Sequence, residues 1–223
     1  MIMKNKILLF LFMLISIASF AQLKPSMGIR AGILSSGFRG NTVNSFNNLL
    51  SFTNGGVTTA DHTGFFGGVY ASVPVGTVIS VEPGLYYSQK GYNINGALSL
   101  KGMDFLGANA KAKLQMQYID IPVLLKANMG GLLLFAGPQF SYLSKASLHT
   151  TAGALGINVL NNTMDATSQF NRWDAGVTGG IGYQFSNGIN LVASYDYGLS
   201  KIDANRNTGT YNRAVKLGLG INF

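Results

Sequence analysis

From Tyr211 to Phe223 the chain reads Y-N-R-A-V-K-L-G-L-G-I-N-F. Val215, Leu217, Leu219, Ile221 and Phe223 fall at every second position, with Ala214, Lys216, Gly218, Gly220 and Asn222 between them. A period of two predicts a strand with one apolar face and one small or polar face. At the edge of a soluble sheet such a strand would template aggregation. In a closed membrane barrel it is instead the seam: it pairs with the first strand while its apolar face meets lipid.

The same alternation recurs upstream. Met27–Ser36 sets Ile29, Ala31 and Ile33 against Gly28, Arg30 and Gly32, and a second strand is predicted over Thr63–Val73. Val78–Lys90 sets Ile79, Val81, Pro83, Leu85 and Tyr87 against Ser80, Glu82, Gly84, Tyr86 and Ser88. From about Ala110 to Ala127 the phase is mixed: Leu114, Met116 and Tyr118 share one, Ile119, Ile121, Val123 and Leu125 the other. A β-bulge near Tyr118-Ile119 would produce such a slip. A fifth strand follows over Leu132–Ser144. The clearest hairpin joins Trp173–Phe185 to Ile189–Ser200 through Ser186-Asn187-Gly188, an Asn-Gly turn signal.

Eight strands result. Connections after the first, third, fifth and seventh read as the longer polar ones: about Gly37–His62, Gly91–Asn109, Lys145–Gln169 and Asn205–Gly209. Those after the second, fourth and sixth are tight turns at Val73–Gly76, Asn128–Gly131 and Ser186–Gly188. Outer-membrane barrels carry this asymmetry, with long loops outside and short turns in the periplasm. Aromatic positions sort the same way. With odd strands running outward, Phe65, Tyr86, Tyr87, Phe140, Tyr142, Phe170, Trp173, Tyr195, Tyr197 and Tyr211 fall near the outer rim. Phe135, Tyr183, Phe185 and Phe223 fall near the inner one, giving two interface girdles. The expected fold is an all-β, eight-stranded, antiparallel up-and-down transmembrane barrel.

Composition agrees with that picture and narrows it. Of 223 residues 47% are hydrophobic and only 11% charged, against about 25% in a soluble domain. No uninterrupted apolar run of helix-spanning length follows the N-terminus. Cysteine is absent, which excludes disulfides, thiolate metal sites and a lipidated cysteine. Met1–Ala21 reads as a signal peptide: Lys4 and Lys6 form the basic region, Ile7–Ile17 the apolar core, and Ser19-Phe20-Ala21 the cleavage site. The barrel is then expected over residues 22–223. Without Lys4 and Lys6 the formal charge of +8 becomes +6, a balance suited to an anionic lipid or lipopolysaccharide surface. No basic cluster is dense enough to suggest nucleic acid.

The run Tyr118-Ile119-Asp120-Ile121-Pro122-Val123-Leu124-Leu125-Lys126, followed by Ala136-Gly137-Pro138-Gln139, resembles the porin-family or PorT-like small outer-membrane β-barrel domain of Gram-negative bacteria. Glycine-rich strands, Glu82-Pro83-Gly84-Leu85 and the closing aromatic extend the likeness over the mature chain. The resemblance implies a fold and an outer-membrane location. It also implies two partners, the barrel-assembly machinery, engaged through the strand ending at Phe223, and components of a protein-secretion system.

If the apolar phase faces lipid, Arg30, Glu82, Asp174, Asp196 and Lys216 enter the lumen, with Asp120 and Lys126 depending on the slip. Charges there must pair or be hydrated. They form either a structural plug or a narrow gate in which Glu82 exchanges Arg30 for Lys216. A rim hydrolase would draw on Ser147 and His149 with Asp165 or Asp61 as orienting acid. A single Ser-x-His in a Ser-rich stretch is a weak signal for it. Two histidines and no cysteine predict no metal site, and no cofactor motif is present. The sequence therefore predicts a non-enzymatic barrel with a structural or interaction role. A narrow porin is the first alternative and the rim hydrolase the second.

Overall fold

The computed structural model describes residues 24–40, 57–98, 108–154, 157–204 and 209–223. The expected signal peptide, and most of the polar stretch after the first strand, lie outside them. Among the described residues nine strands are present: β1 (Ser26–Arg39), β2 (Val57–Pro74), β3 (Ile79–Leu98), β4 (Ala108–Met129), β5 (Leu132–Ala154), β6 (Ile157–Asp165), β7 (Trp173–Gln184), β8 (Ile189–Gly198) and β9 (Tyr211–Asn222).

Eight of them close a ring. Each of β1 to β5 pairs antiparallel with the next, β5 continues to β7, then β8, then β9, and β9 returns to β1. The closing register runs from Gly28 opposite Asn222 to Arg39 opposite Tyr211. Backbone bonds between Met27 and Phe223 complete it in both directions, at 2.9 and 3.2 Å. Closure leaves no unpaired edge in the lipid layer, where an unmade backbone hydrogen bond has no water to replace it.

The tight turns sit where their residues demand. Gly130 and Gly131 both take positive φ (63° and 97°), the backbone of a two-residue hairpin turn matched to strand twist. Asn128 accepts the Gly131 amide through its side chain at 2.9 Å. At the other hairpin Gly188 has φ 88°, and Asn187 Oδ1 accepts the Ile189 amide at 3.1 Å.

Burial follows the alternation, inverted relative to a soluble protein. In β9, Val215, Leu217, Leu219 and Ile221 face outward and are exposed, while Ala214, Lys216, Gly218 and Gly220 are buried. Belts of exposed aromatics bound the apolar band. Phe65, Phe140, Tyr142, Trp173, Tyr195 and Tyr197 lie on the outer side, and Tyr183, Phe185 and Phe223 on the inner; Tyr87, against Phe65, and Tyr211, under Arg39, are half-buried. Three expected belt members are elsewhere. Tyr86 and Phe135 point into the lumen and are buried, and Phe170 packs over the barrel's upper interior. Strand-end position alone had placed them, and the phase of the alternation overrides it.

The second difference lies above the outer belt. The expected loop over Lys145–Gln169 is instead a hairpin: β5 continues to Ala154 and β6 returns along it, with Ser147 opposite Asp165. With β3 and β4, which remain paired out to Leu98 and Ala108, these strands extend the sheet past the membrane band. The irregularity expected near Tyr118 is real but sits on the partner strand. Gln117 faces Lys145 while Tyr118 faces Leu143, so Ser144 is the extra residue of a bulge in β5. β4 itself keeps its phase. Met116, Tyr118, Asp120, Leu124 and Lys126 are all buried. What changes at Tyr118 is the environment: below it the outside is lipid and the inside polar, above it the inside is an ordinary apolar core.

Candidate functional site: the lumen plug and the outer mouth

The lumen holds two groups of charge, one above the other. In the lower one Glu82, on β3, takes Arg30 Nη1 at 2.9 Å on one oxygen and Lys126 Nζ at 2.5 Å on the other. Arg30 also donates to the Tyr86 hydroxyl at 3.2 Å and to Asn190 Oδ1 at 3.3 Å, and its guanidinium lies 4.2 Å from the Tyr70 ring centroid. Asn190 donates to the Tyr70 hydroxyl at 2.8 Å. The Tyr70 hydroxyl in turn reaches Asn222.

The upper group is a four-membered ring of charge. Asp120 receives Lys90 at 3.1 Å and Lys216 at 3.2 Å, and Asp196 receives Lys216 at 2.6 Å and Lys90 at 3.7 Å. The remaining acceptor positions are occupied. Ser88 and Ser141 donate to Asp120 at 2.7 and 2.6 Å. Gln139 donates to Asp196 at 3.2 Å, and Thr178 bonds it as well. All four charged residues are buried. A buried ion pair offsets its desolvation only when the geometry is good and the leftover lone pairs are satisfied. Both conditions are met here.

Small residues make room for this packing. A Cβ on Gly220 would stand 2.7 Å from Asn190 Oδ1, and one on Gly218 2.8 Å from the tip of the Phe66 ring. Beside this packing lie cavities of about 40 Å³ between the two groups and about 10 Å³ above the upper one. Each is room for isolated waters at most.

Of the residues predicted for the lumen, Arg30, Glu82, Asp196 and Lys216 thus stand inside it and in contact with opposite charge, together with Asp120 and Lys126. Asp174 is half-buried higher up, held by the Asn212 amide at 2.7 Å rather than by a cation. Lys90 completes the upper ring and was missed. Its signal was present, since it continues the phase of Glu82, Tyr86 and Ser88. Lys216 serves Asp120 and Asp196, not Glu82, so the expected exchange between Glu82 and Lys216 has no contact behind it.

Of the residues considered for a hydrolase, Ser147 stands opposite Asp165 and His149 opposite Thr163 on the β5–β6 hairpin, but their hydrogen bonds go elsewhere. His149 Nδ1 meets the Thr163 hydroxyl at 2.9 Å, not a carboxylate. Hydrogen bonds from Thr167, including its amide at 2.8 Å, hold the Asp165 carboxyl below the usual range. Asp61 is paired with Arg213 at 2.8 Å. Among the described residues no group of His, Asp or Glu is arranged to hold a metal.

Above the plug, Met116, Tyr118, Leu143 and Ala146 form a fully buried cluster, with Phe38, Leu114, Ala166 and Phe170 packed on it. Around the outside of this mouth, cations outnumber acids among the described residues. Arg39 stacks on Tyr197 and Tyr211, and Lys111, Lys113, Lys145 and Arg172 accompany the paired Arg213.

A closed ring of eight strands with a lipid-facing apolar band, two aromatic belts and an ion-paired lumen defines an outer-membrane β-barrel protein. The chain belongs to the outer membrane protein β-barrel domain family, whose pattern matches residues 20–204. Its place is the outer membrane. Among solved structures it is similar to Neisserial surface protein A, at 11% identity and a TM-score of 0.47, over 90% of this chain and 100% of that one. It is also similar to Ail, the attachment invasion locus protein of Yersinia pestis, at 13% identity and a TM-score of 0.44, with the same coverage. No curated protein matches the chain.

Proposed function

We propose that this protein is a non-conducting, non-enzymatic anchor of the outer membrane that holds an extracellular sheet and its loops in place for interaction. The observation behind this reading is the upper charge ring. Lys90 and Lys216 bridge Asp120 and Asp196 across the lumen, leaving cavities of only about 10 and 40 Å³ beside them. A hydrated ion passes such a plug only if the ring comes apart, and each member is tied to at least two others. Rigid scaffolds with loops above them are where binding commonly resides. The cationic collar outside the mouth suits the phosphates of a lipopolysaccharide leaflet. A PorT-like role beside a secretion complex is the narrower form of this proposal. It rests on the Tyr118–Lys126 motif, and engagement of the assembly machinery rests on the closing strand that ends at Phe223.

Single-channel recording of the refolded chain in planar bilayers tests the proposal. A correctly folded, silent barrel supports it. Stable unitary steps whose size changes in Glu82→Gln would replace it with the narrow-porin reading.

A further inference from the structure

Over the buried Met116–Tyr118–Leu143–Ala146 cluster the outer mouth opens into a cup of about 430 Å³. Phe38 of β1 and Tyr92 of β3 stack at 5.1 Å on one side, and Leu114 of β4, Leu148 of β5 and Phe170 form the rest of the wall. The buried cluster below makes it blind, so whatever enters cannot continue into the lumen. The lining polar residues are few, Gln169 and Thr210. Water in such a space lacks the two to four polar partners that hold it, and apolar cavities instead take up apolar guests.

Size and charge narrow the guest. The volume lies in the usual range of small-molecule sites. The surroundings are cationic. Lys111 and Lys113 stand on the outer face of β4, whose inner-face residues Ala112 and Leu114 line the cup, and Arg39 follows Phe38. Two nearby acids are engaged, Asp61 by Arg213 and Asp165 by Thr167. An apolar body with an anionic end complements both features. We infer that the cup binds the hydrocarbon chain of a single free long-chain fatty acid, taken from the outer side, with its carboxylate at the cationic rim.

Photo-crosslinking tests this on the full chain refolded into lipid nanodiscs, with a palmitate carrying a diazirine on its chain and peptide mapping by mass spectrometry. The expected label falls on the segments holding Leu114, Leu148 and Phe170. Excess palmitate competes for it and excess hexadecanol does not. Ala112→Trp, which fills the cup, lowers that label at least tenfold, while background label at lipid-facing Leu217 and Leu219 is unchanged. Leu148→Trp serves if Ala112→Trp loses the heat-modifiable folded form. Label confined to the lipid face, or cup label indifferent to both substitutions, overturns the assignment. Equal competition by hexadecanol removes the anionic end from it. Equal cup labelling by a diazirine on the nanodisc phospholipid assigns the cup to a membrane acyl chain and overturns the free acid.

Discussion

Lys216, on the closing strand, places its ammonium 2.6 Å from Asp196 of β8 and 3.2 Å from Asp120 of β4, on the opposite wall of the barrel. One side chain thereby ties the seam to a wall that its backbone hydrogen bonds never reach. Asp120 is the member with most to lose, since it holds two lysines and two serine hydroxyls. Asp120→Asn leaves Lys90 and Lys216 sharing Asp196 alone. Breaking a buried pair from one side costs about 3–5 kcal/mol. Urea unfolding in lipid vesicles should show that loss, and a change below about 1 kcal/mol would mean that water already screens the ring.

Leu217, next to it in sequence, faces the opposite way and is 51% exposed midway along β9. Leu217→Arg should cost about 2–4 kcal/mol in a bilayer, the usual penalty for arginine at the midplane of a barrel's lipid face. The same substitution at Val78, at the periplasmic turn, should cost about 1 kcal/mol or less. Equal costs at the two positions would place the band elsewhere.

Trp173 is the single tryptophan and lies 59% exposed, edge-on to Tyr142 at 5.1 Å. Its emission should be quenched more strongly by lipids brominated near the carbonyls than by lipids brominated at the chain ends, because aromatic belts sit at headgroup level. Stronger quenching from the bilayer centre would contradict the belt assignment.

His62 lies buried above the outer belt, where the register of β2 against β3 shifts, and its Nε2 has no hydrogen-bond partner. Burial, with Lys113 nearby, pushes its imidazole below the usual value. The folded state therefore resists a proton that the unfolded chain accepts. Stability is full above about pH 6.5 and declines as pH falls from there through the folded value. The urea midpoint of the wild type should drop between pH 7.5 and 5.5 by more than that of His62→Gln. Parallel drops in the two proteins would assign the acid sensitivity to other groups.

Much of the barrel was legible because lipid enforces a strict period of two. β9, the β7–β8 hairpin and the glycine turns needed nothing beyond alternation and turn chemistry. Arg30, Glu82, Asp196 and Lys216 followed from phase. Lys90 escaped only because the predicted strand ended on it. The misplaced residues share one cause. Where the strands rise out of the membrane, water no longer demands an apolar outer face, and Asn- and Thr-rich strand such as Ile157–Asp165 looks like loop. Tyr86, Phe135 and Phe170 show the complementary error, since an aromatic near a strand end can turn inward as readily as outward. Which charge meets which was not written in the alternation at all. Those pairings depend on how far each strand is staggered around the ring, a quantity set by all eight registers together.

The unbroken phase of β4 through Tyr118 has a consequence for how the chain can vary. Below that level, exchanging a residue's inward and outward chemistry is ruinous in one sense; above it, the same exchange is ruinous in the opposite sense. Two selective regimes thus share a single continuous ribbon and meet between Tyr118 and Ile119. The upper part of β3 to β6 answers to the rules of a water-soluble sheet, so it can diverge, or be traded for another such sheet, while the portion embedded below keeps its own grammar intact.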